Sequence, residues 1–142
     1  MNRVRTSGLE ICEAATEDVD EILALWELAG SRGSVTDTPE HLRSLMDMAS
    51  DLFLTAKADR RVIGTVIGGW DGWRGHIYRL AVHPDHRRRG IARALVAEIE
   101  RRLISRGARR IYALAYSESG VALWPSLAYE RTTDVAYVRT FT

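Results

Sequence analysis

Three consecutive arginines, Arg87, Arg88 and Arg89, run straight into Gly90, Ile91, Ala92 and Arg93. A guanidinium donates two parallel hydrogen bonds to a phosphate. Glycine lets the backbone approach a ligand closely or turn to positive φ, and Ala92 keeps the turn uncrowded. A helix that begins at Ile91 would aim its free N–H groups and its positive dipole end at the same point. The chemistry implied is capture of a phosphate or pyrophosphate. A basic surface turn ahead of a helix is the plainer reading of the same residues.

Other groupings suggest less. His83-Pro84-Asp85-His86 resembles a metal site, but Pro84 blocks a helical pairing of the two imidazoles and no further ligand is close in sequence, so no metal is expected. The arginine runs have no interleaved aromatic surface for stacking, which argues against nucleic acid. Ser117 and Ser119 lie outside any nucleophile-elbow pattern. Cys12 is the only cysteine. It sits in an apolar run and reads as a buried thiol.

The elements that would position the arginine loop follow from periodicity. Residues 1–8 are polar and read as loose. Leu9 and Ile11 begin a strand. Thr16 reads as a cap for a helix carrying Val19, Ile22, Leu23, Leu25, Trp26 and Ala29 at helical spacing, closed by Gly30. Thr38 caps a second helix with Pro39 at its first position. Residues 52–56 and 62–67 form a hairpin about Asp59-Arg60-Arg61. The glycine- and tryptophan-rich stretch GGWDGWRG follows, where Trp70 and Trp73 either pack or meet substrate. A strand then runs from His76 to Val82, stopped by Pro84. After the basic loop, Ile91, Leu95, Ile99 and Leu103 form one helical stripe, with Glu98 and Arg102 as an i,i+4 pair. Ile111 to Ala115 is a strand, Ser117 caps a short helix to about Leu127, and the alternation of Val135, Tyr137, Arg139 and Phe141 predicts one or two last strands. The order is β-α-α-β-β-β-α-β-α-β, an α/β (α+β) fold with a mixed sheet, over a single domain spanning 1–142.

Composition is that of an ordinary soluble protein, with 46% hydrophobic and 27% charged residues over 142 positions and a net charge of +1. Basic residues crowd the second half and acids the first, which fits a local basic patch. With no apolar run of signal or membrane-spanning length, no membrane partner is expected and cytoplasm is the default location.

The run LAVHPDHRRRGIARALV resembles motif A of the GNAT superfamily, the acyl-CoA-dependent N-acetyltransferases, and the element order is similar over nearly the whole chain. GGWDGWRGHIYRLAV further resembles one bacterial branch. The resemblance implies acetyl-CoA as cosubstrate, held by the backbone of Leu80, Ala81 and Val82 along the pantetheine arm. Arg87, Arg88, Arg89, Gly90, Ile91, Ala92 and Arg93 would hold the phosphates. A backbone N–H near Leu80 would polarise the thioester carbonyl, in a gap between strands 76–82 and 111–115. The implied activity is acetyl transfer to a primary amine of a small molecule, peptide or protein. It also allows a homodimer through the last strands.

The chain departs from that pattern in its last helix. Ser117 replaces a cofactor-contacting asparagine, Trp124 a tyrosine that protonates the departing thiolate, and Ala128 a glycine. Pro125 is expected to kink or shorten the helix. Indole is no usable acid, so Trp124 reads as a packing residue in the acyl pocket, and Tyr129, Tyr116, Tyr78 or water stand as proton donors. For the base, Tyr78 occupies the position of a common glutamate. Asp71 and His76 remain, directly or through water, histidine being the side chain that ordinarily titrates near neutrality. A non-catalytic acyl-CoA-binding or sensor domain is the alternative, and an unrelated phosphate-binding module is a further one.

Overall fold

The computed structural model describes residues 4–6, 8–31, 33–115 and 117–141. Six strands lie in one sheet in chain order: β1 (Val4–Thr6), β2 (Leu9–Glu13), β3 (Phe53–Ala58), β4 (Arg61–Trp70), β5 (Gly75–Val82) and β6 (Ile111–Ala113). Neighbours are antiparallel up to β5, and β5–β6 is parallel. The crossover between those two is α3 (Ile91–Ser105), while α1 (Val19–Leu28), α2 (Pro39–Ala49) and α4 (Glu118–Ser126) complete the helices.

The two faces of the sheet have separate cores. One packs Leu54, Val66 and Ile77 against the stripe Ile91, Leu95, Ile99 and Leu103 of α3. Gly68 makes this contact possible, since a Cβ there would come within 2.8 Å of Ile99. The other face packs Phe53, Ile67 and Ala81 against Val19, Ile22, Leu25 and Trp26 of α1 and Leu42 and Met46 of α2. Trp26 is thus a core residue, stacked on Phe53 with 6.5 Å between ring centroids. Cys12 is buried, with Sγ 3.5 Å from the Thr55 hydroxyl.

Local expectations hold where the signal is a turn or cap. Thr38 Oγ1 accepts the His41 N–H at 3.2 Å with Pro39 at the helix start. Gly30 takes φ +79° beyond α1. Ser117 Oγ accepts the Gly120 N–H at 3.2 Å. Asp59 and Arg60, at φ 50° and 66°, make the two-residue turn whose handedness matches a twisted hairpin.

Three expectations are corrected. Residues 4–6 are not loose but pair with β2 as β1, Val4 opposite Ile11 and Thr6 opposite Leu9, helped by the left-handed turn at Gly8 (φ +81°). Thr16 is not the cap of α1. It opens a short 3-10 turn over Thr16–Asp18. Asp18 is the N-cap residue of α1, but its side chain bonds no N–H of that helix. Its buried carboxylate instead accepts the Ala15 N–H ahead of the turn at 3.0 Å and meets Lys57 Nζ at 2.9 Å. The last strands do not form. From Tyr129 to Phe141 the chain is irregular, with Tyr137 and Val138 more than nine-tenths exposed. Alternation orders a strand only where an edge can bury one of its faces, and β6, the adjacent edge, spans three residues.

Pro125 lies in the last turn of α4, which ends one residue later at Ser126, so the helix is short, as a proline that removes an i→i−4 bond predicts. Ala128 then takes φ +66°, a left-handed conformation that costs a residue with a Cβ about 1 kcal/mol. Ala128→Gly is therefore expected to raise the unfolding free energy by about 0.5 kcal/mol, the relief of strain being partly offset by the extra freedom of glycine in the unfolded chain. Chemical denaturation of the two proteins checks this.

Candidate active site

The basic loop closes the crossover from β5 to α3. Pro84–His86 forms one 3-10 turn in which His83 Nδ1 accepts the Asp85 N–H at 3.1 Å. Two residues then take left-handed conformations, Arg88 at φ 65° and Gly90 at φ 77°. Alternation of hand over three residues turns successive N–H groups toward one concavity, a nest suited to an anion. Gly90 is also the N-cap residue of α3, a helix of 15 residues, so the dipole adds to the same point. A Cβ on Gly90 would meet nothing within 4 Å. Gly90 also lines an open cleft.

That cleft has a volume of about 540 Å³. It brings together Leu80, Ala81 and Val82 of β5, Arg87, Arg88, Gly90, Ile91, Ala92 and Arg93 of the loop and α3, and Ser117 and Trp124 of α4. Arg89 is not on its wall; its Nη1 lies 3.4 Å from His86 Nδ1. Arg87 Nη2 reaches the Ala29 carbonyl at 3.4 Å, which ties the loop to the end of α1, whose Ala29, Gly30 and Ser31 complete the rim. Arg87, Arg88, Arg89 and Arg93 form no ion pair among the described residues. The three guanidiniums of Arg87, Arg88 and Arg93 on the wall, a left-handed nest and the open space at Gly90 fit a diphosphate ligand.

The cleft runs to the point where β5 and β6 part. Their register ends at Ile77 opposite Ala113, and the last bond among the described residues is Leu114 N–H to the Ile77 carbonyl at 3.3 Å. Beyond it, β5 carries a bulge. Ile67 pairs with Tyr78 and Thr65 with Ala81, so Arg79 and Leu80 together face one residue of β4, and Arg79 takes φ 51°. A buried chain fixes this bulge. Trp26 Nε1 donates to Thr65 Oγ1 at 2.9 Å, and Thr65 Oγ1 donates to the Arg79 carbonyl at 2.9 Å. The Arg79 guanidinium lies 4.8 Å over the Trp26 ring and donates to both oxygens of Asp37, at 2.9 and 2.8 Å. Sequence reasoning missed this lock. The available signal was the broken alternation of Ile77, Leu80 and Val82, spaced three and then two.

The three proton carriers described by the structure are placed apart from the cleft wall. Tyr129 turns away: its hydroxyl donates to Glu100 Oε2 at 2.8 Å, and its ring meets Trp124 edge-on at 4.8 Å. Burial and the neighbouring Glu100 push its phenol far above the ordinary tyrosine range. His76 and Tyr78 stand on the α1/α2 face of β5, their rings stacked at 5.9 Å. Burial, followed by the charge on Asp71, pushes the Tyr78 phenol up. Asp71 lies 3.7 Å from His76 Nε2. Its carboxyl is held below the usual range by the backbone N–H groups of Arg74 and Trp73, each at 2.8 Å. Tyr116 lies outside the described residues.

Trp124 is buried and lines the cleft, as a packing residue would. Trp70 is half-buried beside Gly107, and Trp73 is exposed beneath the Arg74 guanidinium, 3.8 Å above its ring. No group of three metal-ligating side chains occurs among the described residues, and no helix among them is long and apolar enough to cross a membrane.

Comparison with known proteins points the same way. The family model described as Acetyltransferase (GNAT) family matches residues 19–125. Acetyltransferase SG1711 of Sodalis glossinidius is 34% identical over 129 residues, covering 89% of this chain and 91% of that one. Acetyltransferase plu1384 of Photorhabdus laumondii is 36% identical over 124 residues, covering 86% and 87%. Among solved structures, the PaiA N-acetyltransferase of Thermoplasma acidophilum in complex with coenzyme A superimposes with a TM-score of 0.73 at 18% identity, covering 85% of this chain and 89% of that one.

Proposed function

Because this chain belongs to the acetyltransferase (GNAT) family, we propose that it moves an acetyl group from acetyl-CoA to a primary amine by direct attack, with residues 1–142 acting as one domain. The observation that carries the reading is the nest at Arg88–Gly90, opening on a cleft that ends where β5 and β6 separate. A relative in the same fold is a complex with coenzyme A, and the cleft here has the residues to hold that ligand.

In this reading the amides from Arg88 to Arg93 hold the pyrophosphate, with the arginine side chains adding charge-assisted bonds. The backbone of Leu80, Ala81 and Val82 lies along the pantetheine arm, with Ser117 and Trp124 on the opposite wall. Bound acetyl-CoA supplies an acyl carbon with a thiolate as leaving group. The residues of the chain position it and serve the protons. The amine must be neutral to attack, so one proton leaves the ammonium before the C–N bond forms. The newly bonded nitrogen then loses a second proton to water, and the departing thiolate takes one up as the C–S bond breaks, giving the amide and the free thiol. His76, through water and backed by the ionised Asp71, is assigned the first transfer. Tyr78, whose phenol is raised by burial and by Asp71, is the assigned donor to the thiolate, also through water because it stands off the cleft wall. Tyr129, bound to Glu100, acts at most through the seat it gives Trp124.

Coenzyme A release measured against a broad panel of amines tests the proposal. Transfer to at least one amine class is expected. His76→Ala should lower kcat by about 10²-fold at neutral pH, within the range for general acid–base groups, and restore rate at alkaline pH where the free amine forms unaided. Tight acetyl-CoA binding with no transfer to any amine would instead favour a non-catalytic acyl-CoA sensor.

A further inference from the structure

β5 has a second basic cluster, at the end remote from the arginine loop, that the acetyl donor does not explain. Where β5 and β6 are still paired, the rings of Tyr78, His76 and Tyr112 stack on the α1/α2 face, with 5.9 and 6.1 Å between neighbouring centroids. The Tyr112 hydroxyl oxygen accepts Arg74 Nη1 at 3.0 Å and Arg110 Nε at 3.1 Å. Two guanidiniums thus converge on one hydroxyl oxygen, 5.6 and 5.3 Å from the Tyr112 ring centre. Neither makes an ion pair among the described residues.

The acids nearby do not neutralise this cluster. Asp71 accepts the N–H groups of its own turn and faces His76. Asp134, in the C-terminal segment, acts on Arg110 only at longer range. Asp37 and Asp18, acids of the kind that attract a cationic acceptor, are held by Arg79 and Lys57. The approach to the β5–β6 gap from this face is therefore cationic and aromatic, with Trp73 exposed beside it.

We propose that this cluster anchors the acceptor, and that the acceptor is an anionic peptide. Its carboxylate sits between Arg74 and Arg110 while its amine reaches the gap beside Leu80. From His76 to Leu80 the strand spans roughly 10–13 Å, or about three to four residues at about 3.3 Å each; the carboxylate's own side chain covers about one of these, so it belongs two or three residues from the amine in an extended chain. The inference rests on the transfer function proposed above and deepens it.

The test uses pairs of C-amidated peptides that differ only in Asp against Asn, two or three residues from a free amine. The amine is α-terminal in one set and a lysine side chain in the other. Acetyl transfer and equilibrium binding to the coenzyme A-loaded protein are both measured. The aspartyl member of at least one set is expected to show a KM and a Kd at least tenfold lower. Arg74→Gln and Arg110→Gln should each bring that ratio close to one without changing the KM for acetyl-CoA. A ratio within twofold for the unaltered protein in both sets, or a preference that survives both substitutions, overturns the anchor. If acetyl-CoA binds and no peptide is acetylated, the transfer reading fails on its own, and the binding ratio still decides the anchor.

Discussion

Gly90→Asp is expected to weaken acetyl-CoA binding by at least a hundredfold. The side chain would enter the open space that the missing Cβ leaves in the nest, and its charge would face the pyrophosphate. Two unit charges about 5 Å apart repel by roughly 3 kcal/mol at an effective dielectric near 20, which is about two powers of ten in Kd. Gly90→Asn is the control. Asparagine has nearly the same shape and tolerates the left-handed conformation of φ 77° about as well, so it should bind much more tightly than the aspartate variant. Calorimetric titration with acetyl-CoA reads both. Equal affinities for the two variants and the original would remove the nest from the site.

The largest loss of stability is expected at Glu98. This glutamate and Arg102 on the same helix are 7% and 6% exposed. Arg102 Nε donates to Glu98 Oε1 at 3.0 Å, and Arg101 adds a two-point contact to the same carboxylate. Arg102 continues to the Asp51 carbonyl at 2.9 Å and faces Glu13 at 3.5 Å, so it stitches α3 to the segment before β3 and to β2. Removing one member of a buried pair leaves the other charge uncompensated, at a cost of about 3–5 kcal/mol. Glu98→Ala should fall toward the lower end, since Arg102 keeps its other partners.

The pH dependence has a definite sign. Hydrogen bonds from Arg101 and then Arg102 outweigh the opposing effect of burial, so the Glu98 carboxyl is held below its ordinary value in the folded protein. A carboxyl so depressed contributes stability above the unfolded pKa. That contribution is lost as pH falls from the usual glutamate range through the lower folded value. Glu98→Gln should flatten the acid limb of stability over that window, as read by urea unfolding at a series of pH values. An unchanged limb would count against the pair.

Much of the site was legible because its parts are local. The strand, the proline stop, the arginines, the glycine and the apolar stripe from Ile91 to Leu103 follow one another within thirty residues, and the structure keeps them in that order. The Glu98–Arg102 pair was legible as an i,i+4 contact. Its burial was not, because burial comes from Asp51 and Glu13, distant in sequence. The Arg79–Asp37 contact spans 42 residues, with no local pattern to announce it. Tyr129 looked free to donate a proton because nothing in its own segment reveals Glu100 on the facing helix. The C-terminal alternation promised a strand, yet the edge it needed is too short to receive one.

The bulge at Arg79 has a consequence for how β5 is divided. Ile77 faces α3, and so do Leu80 and Val82, while Tyr78 and Ala81 face α1 and α2. The strand therefore changes phase in its middle: odd positions point to α3 before the bulge, even positions after it. The single extra residue leaves the aromatic wall below and the apolar lining above on the faces they would hold without it, and adds a backbone carbonyl held by Thr65 and a guanidinium held by Asp37. Removing that residue would not simply shorten β5. It would leave Ile77, Tyr78, Leu80, Ala81 and Val82 alternating strictly on the faces they already hold, and would take away the carbonyl that binds Thr65 and the guanidinium that binds Asp37.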